Sequence, residues 1–190
     1  MSTLLRPLFV LFVLLSVMTG LMYPLFVTGI GHFMFPKQVS GSLLFERGQI
    51  VGSALISQSF QDPKYFWGRL SATAPMPNNP SASSGSNFGP SNPALLDAAK
   101  VRIAALKAAD PSSTGPVPID LVTASASGLD PHISPAAALY QVSRVAAARK
   151  IDIAQLRKQV LAAVEAPQWG LFGEPRVNVL MLNVALDRTR

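Results

Sequence analysis

The uncharged stretch LFVLFVLLSVMTGLMYPLFVTGI, residues 8–30, decides the fold of this 190-residue chain. As an α-helix it would rise about 35 Å, which exceeds the roughly 30 Å hydrocarbon thickness of a bilayer. We therefore expect one transmembrane helix over residues 8–30, after a short tail at residues 1–7. A cleaved secretory signal is the alternative, because Gly29 and Gly31 have the spacing of a cleavage site. The apolar run is longer than in such signals.

Residues flanking the span predict its orientation. Arg6 and the free N-terminal amine precede it, and short positive flanks stay in the cytoplasm. Residues 31–190 should then form a domain outside the membrane. Long domains are translocated regardless of their charge, so the domain's net charge of +5, which is the chain's +6 without Arg6, does not oppose this orientation. Phe33, Phe35 and Lys37 are typical of an interfacial belt in contact with the lipid bilayer.

Small and kink-forming residues recur within the span. Ser16, Gly20, Pro24 and Thr28 are spaced four apart, a pattern that lets another transmembrane backbone approach closely. We interpret this stripe as the contact site for a partner helix. Pro24 should also kink the helix, because it removes the hydrogen bond to the Gly20 carbonyl. The alternative is that Gly and Pro are simply common in membrane helices.

Composition limits what the outer domain can do. The chain has no cysteine, which excludes disulfides and thiolate metal sites. Its basic residues are scattered rather than clustered on one face, so we expect no nucleic-acid partner. We predict the α+β class, with one N-terminal transmembrane helix followed by a helix-rich soluble domain with a few short strands.

Local signals predict the elements of this domain. Short strands are expected over residues 42–45 and 49–56, joined by a turn at Arg47-Gly48. Residues 117–123 read as a strand, and residues 178–187 as a final helix, with a strand as the alternative. Three helices have start signals at Asn92-Pro93, Ser134-Pro135 and Asp152, the first ending at Asp110-Pro111. Their predicted buried stripes are Leu95, Leu96, Ala99, Ile103 and Leu106 in the first helix and Leu139, Val142, Val145 and Ala146 in the second.

Residues 74–93 are rich in Pro, Asn, Ser and Gly and can form neither helix nor regular strand. By composition alone this segment would be a disordered linker. Tyr65, Phe66 and Trp67 lie just before it and Phe88 within it, so an ordered loop pinned by aromatic burial is the alternative.

Catalytic signatures are missing from the sequence. It contains no GxxxxGK[ST], GxGxxG, GxSxG, SxxK or HExxH motif, so we expect neither a catalytic site nor a metal site. His32 is interpreted as an interfacial anchor, and His132 has no predicted metal-ligand partner. The serine-rich run 124–128 is interpreted as a tight turn, although a serine of this run could also serve a membrane-tethered extracytoplasmic hydrolase.

Five blocks of the sequence resemble the C subunit of Kdp-type potassium-transporting ATPases, the KdpC family. The blocks are GSALI at 52–56, YFWGR at 65–69, GSN at 85–87 with NP at 92–93, DLVTASASGLD at 120–130, and VNVL at 177–180 with LN at 182–183. The motif residues matched are Gly52, Ser53, Gly68, Arg69, Ser86, Asn87, Asn92, Pro93, Ser125, Ser127, Gly128, Asp130, Asn178 and Asn183. Leu70 and Ser84 depart from the family pattern, where Pro and Gly are common.

The resemblance implies an accessory subunit of a high-affinity, ATP-driven potassium pump in the bacterial inner membrane. Its implied partners are a channel-like potassium-binding subunit, a phosphorylated ATPase subunit and a small single-helix subunit. ATP and potassium would be handled by the complex, and this chain would be no enzyme on its own.

The resemblance leaves two roles open. The chain could brace and cap the potassium-conducting subunit on the outer face, or act as a catalytic chaperone that raises ATP affinity through Gln141. The expected orientation places Gln141 away from cytoplasmic ATP, which favours the brace. Gln141 could instead face solvent or cap a neighbouring backbone. Acidic rims built from Asp62, Asp97 or Asp130 are a further possibility for potassium entry.

Overall fold

The computed structural model describes residues 2–188, without the side chain of Ser2, and the chain divides into two units, residues 1–43 and 44–190. In the first unit, α1 (Ser2–Val17), a π-helical turn (Met18–Met22) and α2 (Tyr23–Met34) form one uninterrupted helix, followed by the short α3 (Pro36–Val39). The stretch Thr3–Met34 is 32 residues long and apolar enough to cross a membrane, and its most apolar window buries no side chain in the protein.

The π-helical turn lies directly before Pro24. Proline has no N–H, and its ring would clash with the carbonyl four residues earlier, here that of Gly20. The helix widens at this point, and the Tyr23 N–H donates to the Met18 carbonyl, five residues back. The Thr19 hydroxyl also donates to the Leu15 carbonyl at 2.7 Å. The predicted disturbance at Pro24 therefore takes the form of a π-bulge.

The second unit mixes helices with short strands. Its elements are β1 (Leu43–Glu46, which begins at the boundary), β2 (Gln49–Ser53), α4 (Pro93–Ala109), a 3-10 turn (Ile119–Leu121), β3 (His132–Ile133), α5 (Pro135–Tyr140), α6 (Val142–Arg149), α7 (Ile153–Ala162), β4 (Val164–Glu165), β5 (Arg176–Asn178) and α8 (Val179–Arg188). This arrangement confirms the α+β class predicted from the sequence.

Strands β1 and β2 form the predicted hairpin. Arg47 and Gly48 have φ angles of 50° and 80°, the positive pair that a two-residue hairpin turn requires. The second sheet has the order β3-β5-β4, and both pairings are antiparallel. Val177 on β5 lies opposite Ile133 and Val164, and it is fully buried.

The core lies between this three-stranded sheet and helices α5 to α8. Its most deeply buried apolar side chains include Phe66, Leu106, Leu121, Val145, Leu156, Val160 and Val177. Three of the surrounding helices begin at the predicted caps. The side chains of Asn92, Ser134 and Asp152 accept hydrogen bonds from the N–H groups of Ala94, Ala137 and Gln155 respectively.

The strand predicted over residues 117–123 is wrong. The structure has a 3-10 turn at Ile119–Leu121, in which the N–H groups of Val122 and Thr123 both donate to the Ile119 carbonyl. The turn brings the Asp120 carboxylate to the Ser134 N–H, at 2.7 Å. Apolar alternation did not reflect one buried face, because Leu121 is fully buried whereas Ile119 is 75% exposed.

Two helix predictions need correction. The helix starting at Pro135 is interrupted at Gln141, which has φ −90° and ψ −5° and separates α5 from α6. In the predicted stripes, Leu96 is 58% exposed and Leu139 is only half-buried. The final helix predicted over residues 178–187 is confirmed as α8, Val179–Arg188, and only Asn178 belongs to the preceding strand β5.

The loop over residues 74–93 is held by hydrogen bonds rather than by aromatic burial. The Thr73 hydroxyl donates to the Met76 carbonyl at 2.7 Å and accepts from the Asn79 N–H at 3.0 Å. The Asn79 amide donates to the Ala74 carbonyl at 2.8 Å. Phe88 is 40% exposed, so it does not pin the loop as the sequence suggested.

Candidate functional site

Residues 63–68 form an irregular segment that side chains from other elements hold in place, and we call it the clamped segment. It crosses the core side of the domain without belonging to a helix or strand. Phe66 is fully buried and Trp67 is 6% exposed. Because buried backbone groups need partners, the hydrogen bonds of this segment have to come from side chains.

Gln141 supplies the first clamp. Its Oε1 accepts from the Trp67 N–H at 2.8 Å and its Nε2 donates to the Trp67 carbonyl at 3.1 Å. The same carboxamide also donates to the Ala137 carbonyl at 3.2 Å and accepts from Arg144 at 2.6 Å. All four hydrogen-bonding positions of the amide are thus used inside the protein. The sequence left open whether Gln141 faces solvent or caps a neighbouring backbone. Gln141 is 1% exposed and bonded to the backbone of Trp67, so it caps a backbone.

Asn183 on α8 supplies an equivalent clamp one residue earlier. Its Oδ1 accepts from the Phe66 N–H at 2.9 Å and its Nδ2 donates to the Phe66 carbonyl at 3.0 Å. Two consecutive backbone units are therefore paired by two carboxamides, much as a neighbouring strand would pair them. Three arginines bind three further carbonyls of the segment: Arg144 binds Pro63 at 2.6 Å, Arg149 binds Lys64 at 2.7 Å and Arg102 binds Gly68 at 2.8 Å.

Two of these arginines also stack on Trp67. The guanidinium carbon lies 4.4 Å from the indole centroid for Arg144 and 5.1 Å for Arg102. Burial lowers the pKa of Arg102, and it lowers the pKa of Arg144 to about 10, against the favourable charge of Asp110. This Arg-Trp-Arg stack makes the segment rigid and leaves the indole unavailable to a ligand.

The family-motif residues Arg69 and Asp130 meet next to the clamped segment. The Asp130 carboxylate accepts from Arg69 at 3.3 Å, and from the backbone N–H of His132 at 3.0 Å. Its Oδ1 also lies 3.1 Å from the His132 ring nitrogen Nδ1. Burial raises the Asp130 pKa, but the hydrogen bonds from His132 and the charge of Arg69 outweigh burial, so the pKa is lowered.

The serine-rich run packs as a tight turn. The Ser125 and Ser127 hydroxyls lie 3.2 Å apart, and Ser125 also accepts from the Gly128 N–H at 3.0 Å. Gly128 has φ +69°, and an added Cβ would lie 2.5 Å from the Thr73 methyl and 2.7 Å from the Ser84 carbonyl. Within residues 2–188, the hydroxyls of these two serines bond to each other and to the backbone N–H groups of Gly128 and Leu129, and neither reaches an imidazole or an amine.

The other motif residues fix the long loop at its two ends. An added Cβ at Gly52 would overlap Gln58 and lie 2.9 Å from Leu180, and the Asn178 amide donates to the Ala54 carbonyl at 2.8 Å. Ser53 accepts from the Leu55 N–H at 3.1 Å. At the far end, Ser86 and Asn87 lie in the irregular stretch that precedes α4, which Asn92 caps and Pro93 begins.

The three candidate acids of a potassium-attracting rim are each paired with a base. Asp62 lies 3.0 Å from Lys64, Asp97 lies 3.7 Å from Lys100, and Asp130 is bonded to Arg69. Among residues 2–188, no group of three or more His, Asp or Glu side chains could hold a metal ion.

Two exposed apolar features escaped the sequence analysis. One is a groove of about 810 Å³ along α4, whose walls include Leu70, Phe88, Leu95, Val101 and Val122. The other is the loop between β4 and β5, where Trp169 is 85% exposed, Leu171 77% and Phe172 58%. The apolar residues of α4 were assigned to the core. For the loop, the available signal was an aromatic cluster punctuated by Gly170 and Gly173.

Comparisons with known proteins agree over almost the full chain. The family model described as K+-transporting ATPase, c chain (KdpC) matches residues 5–188. The chain is 64% identical over 187 residues to the potassium-transporting ATPase KdpC subunit of Dechloromonas aromatica, with 98% of each chain covered. It is 63% identical to the corresponding subunit of Ralstonia nicotianae, covering 96% of this chain and 90% of the relative. For Variovorax paradoxus the identity is 61%, covering 98% and 97% respectively.

Proposed function

Since the chain belongs to the family of K+-transporting ATPase c chains and is a subunit of such a pump, we propose that it is a non-catalytic accessory subunit, needed for assembly, that braces or caps the potassium-conducting subunit on the outer face of the membrane. The partners in this proposal are a channel-like potassium-binding subunit, a phosphorylated ATPase subunit and a small single-helix subunit.

Two observations on residues 2–188 carry the proposal: the apolar helix buries no side chain of its most apolar stretch, and polar motif residues of the domain are bonded to the domain's own backbone. The helix Thr3–Met34 exposes its apolar side chains along its whole length, as a helix surrounded by lipid and other helices does. In the domain, the polar motif residues Ser125, Asn178 and Asn183 form hydrogen bonds to the backbone. A rigid, anchored body suits a brace.

The stripe Ser16, Gly20, Pro24 and Thr28 is the proposed contact with a partner helix. An added Cβ at Gly20 meets no atom of this chain within 4 Å, so a larger side chain there has room in the isolated subunit. An effect of replacing Gly20 would therefore come from a partner helix packed against this position.

The test is co-purification of the pump with a Gly20→Ile subunit. We expect at least a tenfold loss of associated partner subunits, because a branched side chain prevents close backbone approach. Gly29→Ile is the matched control: its Cβ also meets nothing within 4 Å, but it points about 100° away from Thr28 on the helix. Equal co-purification of wild type and Gly20→Ile would remove the stripe from the proposal.

Orientation is proposed on the positive-inside argument from Arg6. The chain has no cysteine, so Thr114→Cys in an exposed loop introduces a unique label. We expect a membrane-impermeant maleimide to label this cysteine in intact spheroplasts. Labelling only after lysis would place the domain in the cytoplasm and reverse the proposed side.

The second candidate, in which Gln141 raises ATP affinity, makes a different demand on the domain. The domain would have to face the cytoplasm, where ATP is found. A bound nucleotide would also have to displace Trp67, Ala137 or Arg144 from the Gln141 amide. The four internal hydrogen bonds of Gln141 support a structural role for it instead.

A further inference from the structure

We infer that the loop between β4 and β5 is a second membrane contact, in which Trp169, Leu171 and Phe172 insert into the lipid interface. We call residues 166–173 the aromatic tip. The inference rests on membrane attachment through the apolar helix, which holds for every version of the proposed function, and on neither the identity of the partners nor the side of the membrane.

The aromatic tip presents apolar side chains that the domain itself does not use. Trp169 is 85% exposed, and its indole makes an edge-on pair with Phe172, with 6.0 Å between the ring centroids. Trp169 also has φ +55°, in the left-handed region that disfavours bulky residues. The indole therefore lies outside the domain's own core, where it is available for contacts beyond the chain.

Several backbone groups of the aromatic tip form hydrogen bonds with one another. The Gln168 N–H donates to the Phe172 carbonyl at 2.8 Å, and the Gln168 carbonyl accepts from Leu171 at 3.2 Å and from Phe172 at 3.0 Å. The Gly170 N–H donates to the Pro167 carbonyl at 2.9 Å. Much of the polar backbone of the tip is thus satisfied internally, which lowers the cost of leaving water.

Charge distribution favours lipid as the occupant. Residues 166–173 carry no charge, and charged residues resume at the base with Glu165, Glu174 and Arg176. Arg176 and Glu165 pair at 3.0 Å and form a hydrophilic collar. An uncharged tip that combines an indole with aliphatic and aromatic side chains above a charged collar has the profile of an interfacial anchor.

Chain length keeps a bilayer within reach. Residues 35–42 join the apolar helix to strand β1, and this link spans at most about 28 Å when fully extended. The domain is therefore held at the membrane surface at high effective concentration, and a weak tip–lipid contact is enough to be populated.

The test uses tryptophan fluorescence of the full chain in lipid vesicles. The chain has two tryptophans, and Trp67 is buried in the Arg-Trp-Arg stack, so the difference between wild type and Trp169→Phe isolates Trp169. We expect lipids brominated near the headgroup to reduce the Trp169 signal at least twofold, and aqueous iodide to reduce it less. Quenching by iodide and not by brominated lipid overturns the inference.

Two further variants separate lipid contact from other causes. Leu171→Asp should reduce quenching by brominated lipid at least twofold, because it introduces a charge into the tip. Val101→Asp, at a residue that is 71% exposed on α4, is the matched control and should leave quenching unchanged. Unchanged Trp67 emission verifies that both variants are folded.

A protein partner at the tip gives a different pattern. A fluorescent label on Leu171→Cys would then be shielded from lipid and water quenchers only in the assembled pump, and that result overturns the inference. Co-purification of Gly20→Ile is read independently of the tip, so the proposed function and this inference can fail separately.

Discussion

In the first unit, residues 2–34 form one continuous helix with local backbone hydrogen bonds, whereas residues 63–68 of the second unit are held mainly by side chains from distant elements. The helix therefore depends only on local hydrogen bonds and an apolar surrounding. The clamped segment depends on Gln141 and Asn183, which are separated from it by 74 and 117 residues in sequence. One region is specified by composition, the other by single polar residues.

This difference predicts a large loss of stability for Gln141→Ala. The substitution leaves the Trp67 N–H and carbonyl and one Arg144 donor without partners in a buried site. We expect a loss of about 4 kcal/mol in the free energy of unfolding, since each unsatisfied buried group costs about 1–3 kcal/mol. Urea unfolding of the full chain in detergent micelles, followed by tryptophan fluorescence, measures it.

The control for this prediction is Gln61→Ala. It removes an exposed carboxamide from the loop that contains the clamped segment. We expect its stability to stay within about 0.5 kcal/mol of wild type. If Gln141→Ala cost no more than this control, the clamped segment would be held by apolar packing, and the contrast between the two regions would be lost.

The same contrast explains how far the sequence predicts the structure. Uncharged length identified the apolar helix, and the capping residues Asn92, Ser134 and Asp152 identified three helix starts, because these are local signals. The turn at residues 119–121 was missed because a tertiary bond from Asp120 to Ser134 determines it. Local propensity carries no information about such a partner.

The sequence predicted which residues belong to the candidate site, but it did not predict which groups they bind. The family blocks name Arg69, Asp130 and Asn183, but no spacing rule indicates that Asn183 binds Phe66. A usable signal was present on the helices. Gln141 and Arg144 lie among the apolar positions predicted to be buried, and a polar residue there requires a buried partner.

A smaller, pH-dependent effect is expected for Asp130→Asn. The folded pKa of Asp130 is lowered, so above its unfolded value the carboxylate stabilises the domain through Arg69 and His132. As the pH falls, the unfolded chain binds the proton first, and this stabilisation is lost through the folded pKa. We expect the variant to be less stable by about 1 kcal/mol at neutral pH and the difference to shrink in acid.

Unfolding free energies of both proteins between neutral pH and about pH 3 measure this convergence. Asp97→Asn is the control, because its carboxylate is exposed and lies 3.7 Å from Lys100 on the same helix. We expect this exposed ion pair to contribute less than about 0.5 kcal/mol, so the control should stay close to wild type. A constant gap between Asp130→Asn and wild type at all pH values would show that the charge of Asp130 does not stabilise the fold.

The smallest effect is expected in the first unit, where Leu14→Ala should leave the stability of the domain unchanged. Leu14 is 50% exposed. In a bilayer, lipid chains fill the space that the truncated side chain leaves, so little free energy is lost. Both tryptophans lie in the second unit, so their fluorescence reports on that unit alone. The same substitution at the fully buried Leu156 should cost about 3 kcal/mol, because it leaves a cavity. A comparable loss for Leu14→Ala would mean that the helix contributes to the stability of the domain. The stability of the two regions would then not be independent.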